Sequence, residues 1–190
     1  PDMKIHIEGG ELQGYFDLTR GMTNEDWMLL REKLLDKSNI VNMKGEHIVH
    51  VMRNDLVQSA LAESNNEMEG LVRVWSKIVQ CEEELMGFKD ELEGRFRNIW
   101  NAFSINHSYM YATTYGTYYS DGTLSTVLNY NTLTTTGGAI WGPSHEMGHN
   151  HQASINVVGA TEVSNNLFSN VNTYLLGITT TRGSAVHDTF

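Results

Sequence analysis

The amino-acid sequence predicts an α+β fold, with a small N-terminal and central sheet and a helix pair towards the C-terminus that carries the chemistry. Three observations lead there. Apolar and polar residues alternate through KIHIEGGELQGYFDL and again from His47 to Met52, as along half-buried strands. Between about residues 24 and 86, apolar residues recur at three- and four-residue intervals, the spacing of helices that pack by one side. The third is WGPSHEMGHNHQ, Trp141 to Gln152, in which His145 and His149 are one helical turn apart and differ by only about 40° around the axis.

The elements follow in order. KIHIEGGELQGYFDL reads as a β-hairpin, or two tightly joined strands, about Gly9 and Gly10. Thr23, with Asp26 three residues on, resembles a capping box, and Trp27, Leu30, Leu34 and Leu35 then predict a helix from about Asn24 to Lys37. Asn42 to Gly45 reads as a turn and His47 to Met52 as a short strand, in which His50 packs or faces solvent rather than binding metal. Helices are predicted from Asn54 to Glu63 and from Glu67 to Met86, the second packing through Leu71, Val74, Trp75, Ile78 and Leu85, with Cys81 as a buried thiol. The acidic run Glu82, Glu83, Glu84, continued by Asp90, Glu91 and Glu93, lacks the loop spacing of an EF-hand and reads as a solvated helix face.

From Asn106 to Tyr130 the chain turns aromatic and polar, with Tyr109, Tyr111, Tyr115, Tyr118, Tyr119 and Tyr130 among threonines and glycines. Strands and loops suit that composition, either as a half-buried sheet or as a cleft wall that stacks on sugar rings or lines a peptide groove. Gly137 and Gly138 permit a sharp turn or close approach of a substrate backbone. Gly142 and Pro143 suit the N-cap and first position of the histidine helix, and Gly148 within it permits another element to come close.

Composition narrows the function. Hydrophobic residues make up 40% and charged residues 19% of 190 residues, ordinary values for a globular chain with one core. The net charge of −10, from 13 basic and 23 acidic side chains, argues against a nucleic-acid partner or attraction to anionic membranes. No apolar run reaches membrane-spanning length, and the single cysteine cannot form an internal disulfide. Beginning at Pro1 without a charged-then-apolar leader, the chain reads as an excised piece.

The histidine helix supplies the sharpest inference. His145 and His149 are spaced to bind one zinc ion, and Glu146 beside them is suited to take a proton from metal-bound water. A metzincin would continue with a glycine three residues and a histidine six residues after His149, where this chain has Gln152 and Ile155. The other zinc class takes a glutamate from a following helix, and the first acidic residue after His149 is Glu162. Thr161 reads as the N-cap of that return helix, which Leu167, Val171, Tyr174 and Leu175 would pack. Asn166, one turn beyond Glu162, could accept from the outer N–H of a zinc-bound histidine and fix its tautomer. His151 falls roughly 200° around the helix from His149 and should point away from the metal.

The combination of KIHIEGGELQGYFDL, an internal tryptophan helix, WGPSHEMGHNHQ and TEVSNN resembles the enhancin-like zinc metallopeptidases, family sixty of the metallopeptidases, which includes mucin-degrading members. The resemblance implies a zincin-like (gluzincin) catalytic domain that is secreted or held at the cell surface and cleaves O-glycosylated, mucin-like proteins. It implies zinc as cofactor, with His145, His149 and Glu162 as ligands and Glu146 as the catalytic carboxylate. Gln152 matches the last place of the HExGHxxQ pattern and carries a supporting or packing role. Family catalytic domains usually exceed this length, so a C-terminal portion and flanking carbohydrate-binding modules are expected outside the chain. The electrophilic helper common in gluzincins would come from the tyrosine-rich segment or from beyond Phe190.

The chain is thus read as one catalytic domain, or a fragment of one, spanning 1–190. Its segments are strand-rich with one helix (1–52), helical (53–105), Tyr/Thr-rich strands and loops (106–140), and zinc-site helices (141–177). The expected partner is a glycoprotein or peptide substrate, mucin O-glycans included, with oligomeric state left open. Two rival readings remain at this point: a glycan-binding or adhesion module with a non-catalytic zinc helix, and a structural zinc site completed by His151 or His187.

Overall fold

The computed structural model describes residues 4, 6, 8–10, 13–34, 37–87, 99–152 and 155–178. The strands are β1 (Gly14–Asp17), β2 (Ile40–Lys44), β3 (Ile48–Arg53), β4 (Trp100–Ile105), β5 (Met110–Thr113) and β6 (Gly116–Ser120). They form one six-stranded sheet in the order β1-β2-β3-β4-β6-β5, so the N-terminal and central strands belong together. The helices among the described residues are α1 (Asn24–Leu34), α2 (Asn54–Ala62), α3 (Met68–Leu85), α4 (Asp121–Val127), α5 (Tyr130–Thr135), α6 (Gly137–His151) and α7 (Thr161–Leu175), with a single 3-10 turn at Leu18–Arg20.

The sheet is mixed because of its connections. β1 pairs parallel with β2, which requires a crossover, and α1 supplies it. β1 is the described strand of KIHIEGGELQGYFDL; the other arm of the expected hairpin or strand pair falls largely outside the described residues. The capping box at the start of α1 forms, with Thr23 N donating to Asp26 Oδ2 at 2.9 Å. The helix is described to Leu34, and Lys37 already lies in a turn. β2 runs on through Asn42 to Lys44, where a turn was expected, because Val41 and Met43 bury while their neighbours face outward. The reversal into antiparallel β3 comes at Gly45, whose N–H donates to Ile48 O at 2.8 Å. A β-carbon on Gly45 would overlap Ser76 Oγ.

Two stretches differ in type from the sequence reading. β4 lies within the segment expected to be helical, and its position between β3 and β6 suits its alternating apolar residues. α4 and α5 form where strands and loops were expected. Asn129 caps α5 by accepting from Thr132 N at 3.0 Å, and Arg53 forms an ion pair with Asp121 in the first turn of α4.

One core lies between the sheet and the helices. Val41, Met43, Ile48, Met52, Ala102 and Tyr119 enter it from the strands, and Trp27, Val57, Leu61, Leu71, Trp75 and Ile78 from α1, α2 and α3. Trp75 is central: its indole meets His50 and Tyr119 edge-on, with ring centroids 4.8 and 5.3 Å away, and donates to Val127 O at 3.0 Å. His50 is fully buried, as a packing residue. Cys81 is also buried. On the opposite sheet face Phe103, Tyr118 and Tyr111 sit in register on β4, β6 and β5 and stack face to face, 5.0 and 4.8 Å apart. No described helix is long and apolar enough to cross a membrane.

Candidate metal centre

α6 begins at Gly137, with Thr136 before it, rather than at Gly142. Gly137 and Gly138 thus form the first helical turn, and a β-carbon on Gly138 would meet open space. Pro143 lies inside the helix, where it leaves Ala139 O without its usual donor at a cost of about 3 kcal/mol. Burial of Ile140 and Trp141 in the additional turn offsets that cost. α6 packs on β5 and β6, and Met110 Sδ would be 2.7 Å from a β-carbon on Gly142.

α7 returns along α6 by an unexpected face. Leu167, Tyr174 and Leu175 are exposed and Val171 is half-buried, whereas Asn165, Phe168, Ser169, Asn172 and Thr173 are buried. Two of the polar residues bond to the backbone of α6: Asn165 Nδ2 donates to His145 O at 2.6 Å and Ser169 Oγ to Trp141 O at 3.0 Å. Close approach is possible because Gly148 lacks a side chain; a β-carbon there would lie 2.6 Å from Phe168 Cδ2 and 2.7 Å from Asn165 Oδ1. Ala160, not Thr161, occupies the N-cap of α7, and Thr161 is its first residue.

This docking brings Glu162 to the two histidines. Glu162 Oε2 lies 2.9 Å from His145 Nε2 and 3.4 Å from His149 Nε2, and one donor atom from each of the three residues fits within 4.8 Å of the others. The opposite edges of both rings are braced. His145 Nδ1 is 3.0 Å from Asn166 Oδ1, and His149 Nδ1 is 3.1 Å from Gln152 Oε1. Gln152 Nε2 in turn donates to Thr161 O at 2.6 Å and to Ser164 Oγ at 2.9 Å. Since a carbonyl can only accept, the amide nitrogen must face Thr161 and the amide oxygen His149, so His149 Nδ1 carries the hydrogen. Its Nε2 lone pair is then directed at Glu162, an arrangement of two imidazole nitrogens and a carboxylate oxygen that could hold a divalent cation.

The electrostatics agree. The His145 contact holds the Glu162 carboxyl below its ordinary range, slight burial opposes it, and the proximity of His149 adds to the lowering. Glu146, half-buried beside the cluster, is pushed upwards by burial, pulled down by His145 and His149, and raised again by Glu162. A cleft of about 320 Å³ adjoins His149, lined by Trp100, Ala112, Thr113, Thr114 and Asn150.

Other residues go elsewhere. His151 turns away from the cluster, buried with Nδ1 2.8 Å from Glu82 Oε2, so it is not a fourth ligand. His187 lies outside the described residues, as do Asp90, Glu91 and Glu93. Glu82 and Glu83 are 0% and 5% exposed, which corrects the reading of this run as a solvated face. Glu82 repeats the Trp75 and Ile78 stripe at seven- and four-residue intervals, and that spacing is the signal that marked it as inward-facing. Tyr118 is sandwiched between Phe103 and Tyr111, and Tyr119 is buried against Trp75, so neither offers a ring face to a sugar.

Two histidines on one helix and a carboxylate on the returning one form a donor set of the kind metallopeptidases use to hold their metal. The model of peptidase M60, enhancin and enhancin-like, matches residues 15–189, and the chain belongs to that family. It is similar to a metallopeptidase from Bacteroides thetaiotaomicron at 33% identity, over 86% of this chain and 27% of that one, with a TM-score of 0.77. It is equally similar, at 33% identity over 88% of this chain and 30% of the other, to a metallopeptidase in complex with Tn antigen (TM-score 0.78). A functionally unknown conserved protein from Bacillus anthracis str. Ames matches at 28% identity over 94% of this chain and 37% of that one, with a TM-score of 0.81. The chain therefore spans about a third of the length of these structures. No curated protein sequence matches it.

Proposed function

We propose that this chain carries the catalytic site of a secreted or cell-surface zinc-dependent endopeptidase that hydrolyses peptide bonds in O-glycosylated, mucin-like proteins. The observation that carries the reading is the convergence of His145 Nε2, His149 Nε2 and Glu162 Oε2, with Asn166 and Gln152 bracing the imidazoles from behind. Two imidazoles and one carboxylate are the donor set of a catalytic zinc site with an open position. When bound there, zinc would supply Lewis acidity and lower the pKa of a coordinated water.

The chain's own residues do the rest. Glu146 takes the proton from the attacking water and passes it to the leaving amine; its partial burial favours the protonated form needed for the second transfer. β5 is the outermost described strand on this side of the sheet, and Ala112 and Thr113 on it share the cleft with His149. An extended peptide can add to that edge and lie across the histidines. The glycan preference is supported by the family and by the relative that binds Tn antigen.

The test is product mapping by mass spectrometry on an O-glycosylated mucin-type peptide and its deglycosylated twin, with and without chelator. Cleavage of the glycosylated form alone, abolished by chelation and by Glu146→Gln in a variant that retains zinc, is expected. An undiminished rate in Glu146→Gln would remove that residue from the mechanism. Stoichiometric zinc in Glu162→Ala would show that the third ligand lies elsewhere.

A further inference from the structure

Beneath the metal centre is a buried polar junction that the proposed reaction does not use. Glu82 of α3 is fully buried, and each of its carboxyl oxygens engages a different helix: Oε2 lies 2.8 Å from His151 Nδ1 on α6, and Oε1 accepts from Asn172 Nδ2 on α7 at 2.8 Å. His151 and Asn172 are themselves buried, and Trp100 from β4 closes one side, its ring edge-on to His151 at 4.9 Å. A carboxyl so far from water is costly to bury, so its persistence requires that both partners stay in place.

The junction lies in line with the metal donors. His151 is two residues from His149 at the end of α6. Asn172 continues the polar stripe Asn165, Ser169, Asn172, whose first member bonds His145 O, and Glu162 precedes Asn165 by one turn. An apolar seam tolerates sliding of one helix along another, because dispersion contacts carry little direction. This seam does not: displacing α7 along α6 would detach Asn165 from His145 O, Ser169 from Trp141 O and Asn172 from Glu82 together. The Asn165 and Ser169 bonds hold α7 directly to α6, and Glu82, bonded to His151 of α6 and to Asn172 of α7, clamps the two helices to each other as well as to α3.

We infer that Glu82 is a positioning residue of the metal centre, its two-sided carboxyl fixing α6 and α7 in the register that brings Glu162 to His145 and His149. This rests on the metal-site reading above and extends it to a residue that touches neither metal nor substrate.

The test compares Glu82→Leu, which removes both bonds, with Glu82→Gln, whose amide oxygen accepts from Asn172 and whose amide nitrogen donates to His151 Nδ1 in the ring tautomer that carries its hydrogen on Nε2. Zinc affinity is measured by chelator competition at a temperature where circular dichroism shows each metal-free variant folded, and cobalt(II) absorption reports ligand geometry. Glu82→Leu should weaken zinc binding about 10-fold, the lower end of the range for groups bonded directly to a ligand because Glu82 acts one contact further away, and alter the cobalt bands. Glu82→Gln should bind zinc more tightly than Glu82→Leu and return the cobalt bands towards those of the parent. A Glu82→Leu protein with lowered Tm but unchanged zinc affinity and cobalt spectrum would overturn the inference, since that is the outcome of a purely structural role. If Glu82→Leu does not fold, Asn172→Ala, which cuts only the α7 arm, decides the matter: weaker zinc supports the inference and unchanged zinc overturns it. Failure of the parent protein to bind zinc would instead remove the metal-site reading itself.

Discussion

Gly148→Ala is the most direct probe of the helix seam, because it adds one methyl group where α6 and α7 are closest. The new carbon would lie 2.6 Å from Phe168 Cδ2, 2.9 Å from Phe168 Cβ and 2.7 Å from Asn165 Oδ1. Phe168 is fully buried and its Cβ is fixed to the backbone, so relief requires α7 to move by several tenths of an ångström. Overpacking of this kind costs about 1–3 kcal/mol. Weakening the Asn165 to His145 O bond adds about 1 kcal/mol. Alanine's better helix propensity returns at most about 1 kcal/mol. The net destabilisation is about 2 kcal/mol, or a Tm lower by roughly 4–8 °C for a chain of this size. Urea titration of the metal-free protein, with Gly138→Ala as control, measures it; the control adds its methyl to open space on the same helix and should be neutral or slightly stabilising. A Gly148→Ala protein as stable as the control would refute the close-packed seam.

Acid should expose His50. Burial lowers its pKa from 6.5 to about 4, so between those values the unfolded chain binds a proton that the folded chain refuses. Its contribution to stability is complete above pH 6.5 and is lost as pH falls towards 4, by roughly 3 kcal/mol in total. In denaturant titrations at several pH values the parent should lose stability relative to His50→Phe as pH falls through that window; a pH-independent difference would show that folding leaves the His50 pKa unchanged. Gln152→Ala removes the acceptor behind His149 and should weaken zinc binding about 10–100-fold in chelator competition while leaving most of the stability intact. Unchanged affinity would mean that His149 needs no brace.

What was legible in the sequence was what local spacing dictates. The one-turn separation of His145 and His149, the thirteen residues to Glu162 and the further turn to Asn166 are properties of the chain that any helix pair would express, and the structure brings these groups together. The capping box at Thr23 and Asp26 formed for the same reason. Features set by long-range partners were not legible. Glu82 and Glu83 read as solvent-facing because their charge outweighed the spacing that aligns Glu82 with Trp75 and Ile78, while the partners that accommodate them, His151, Asn172 and Trp100, are distant in sequence. α7 reversed the usual pattern by burying amides and exposing leucines, since its partner offers backbone carbonyls and a glycine gap rather than an apolar groove. α4 and α5 were hidden by Thr, Tyr and Asn, which have weak helix propensity; the Asn129 cap was the one local cue.

The outward side of α7 bears on how the isolated chain behaves in concentrated solution. Val163, Leu167, Tyr174 and Leu175 present greasy surface there, and Val157 and Val158 are exposed in the segment that precedes the helix. At pH 7 the net charge of −10 keeps copies apart. Near the sequence pI of about 5.2 that repulsion vanishes, and the chain should become turbid at concentrations where it stays clear at neutral pH.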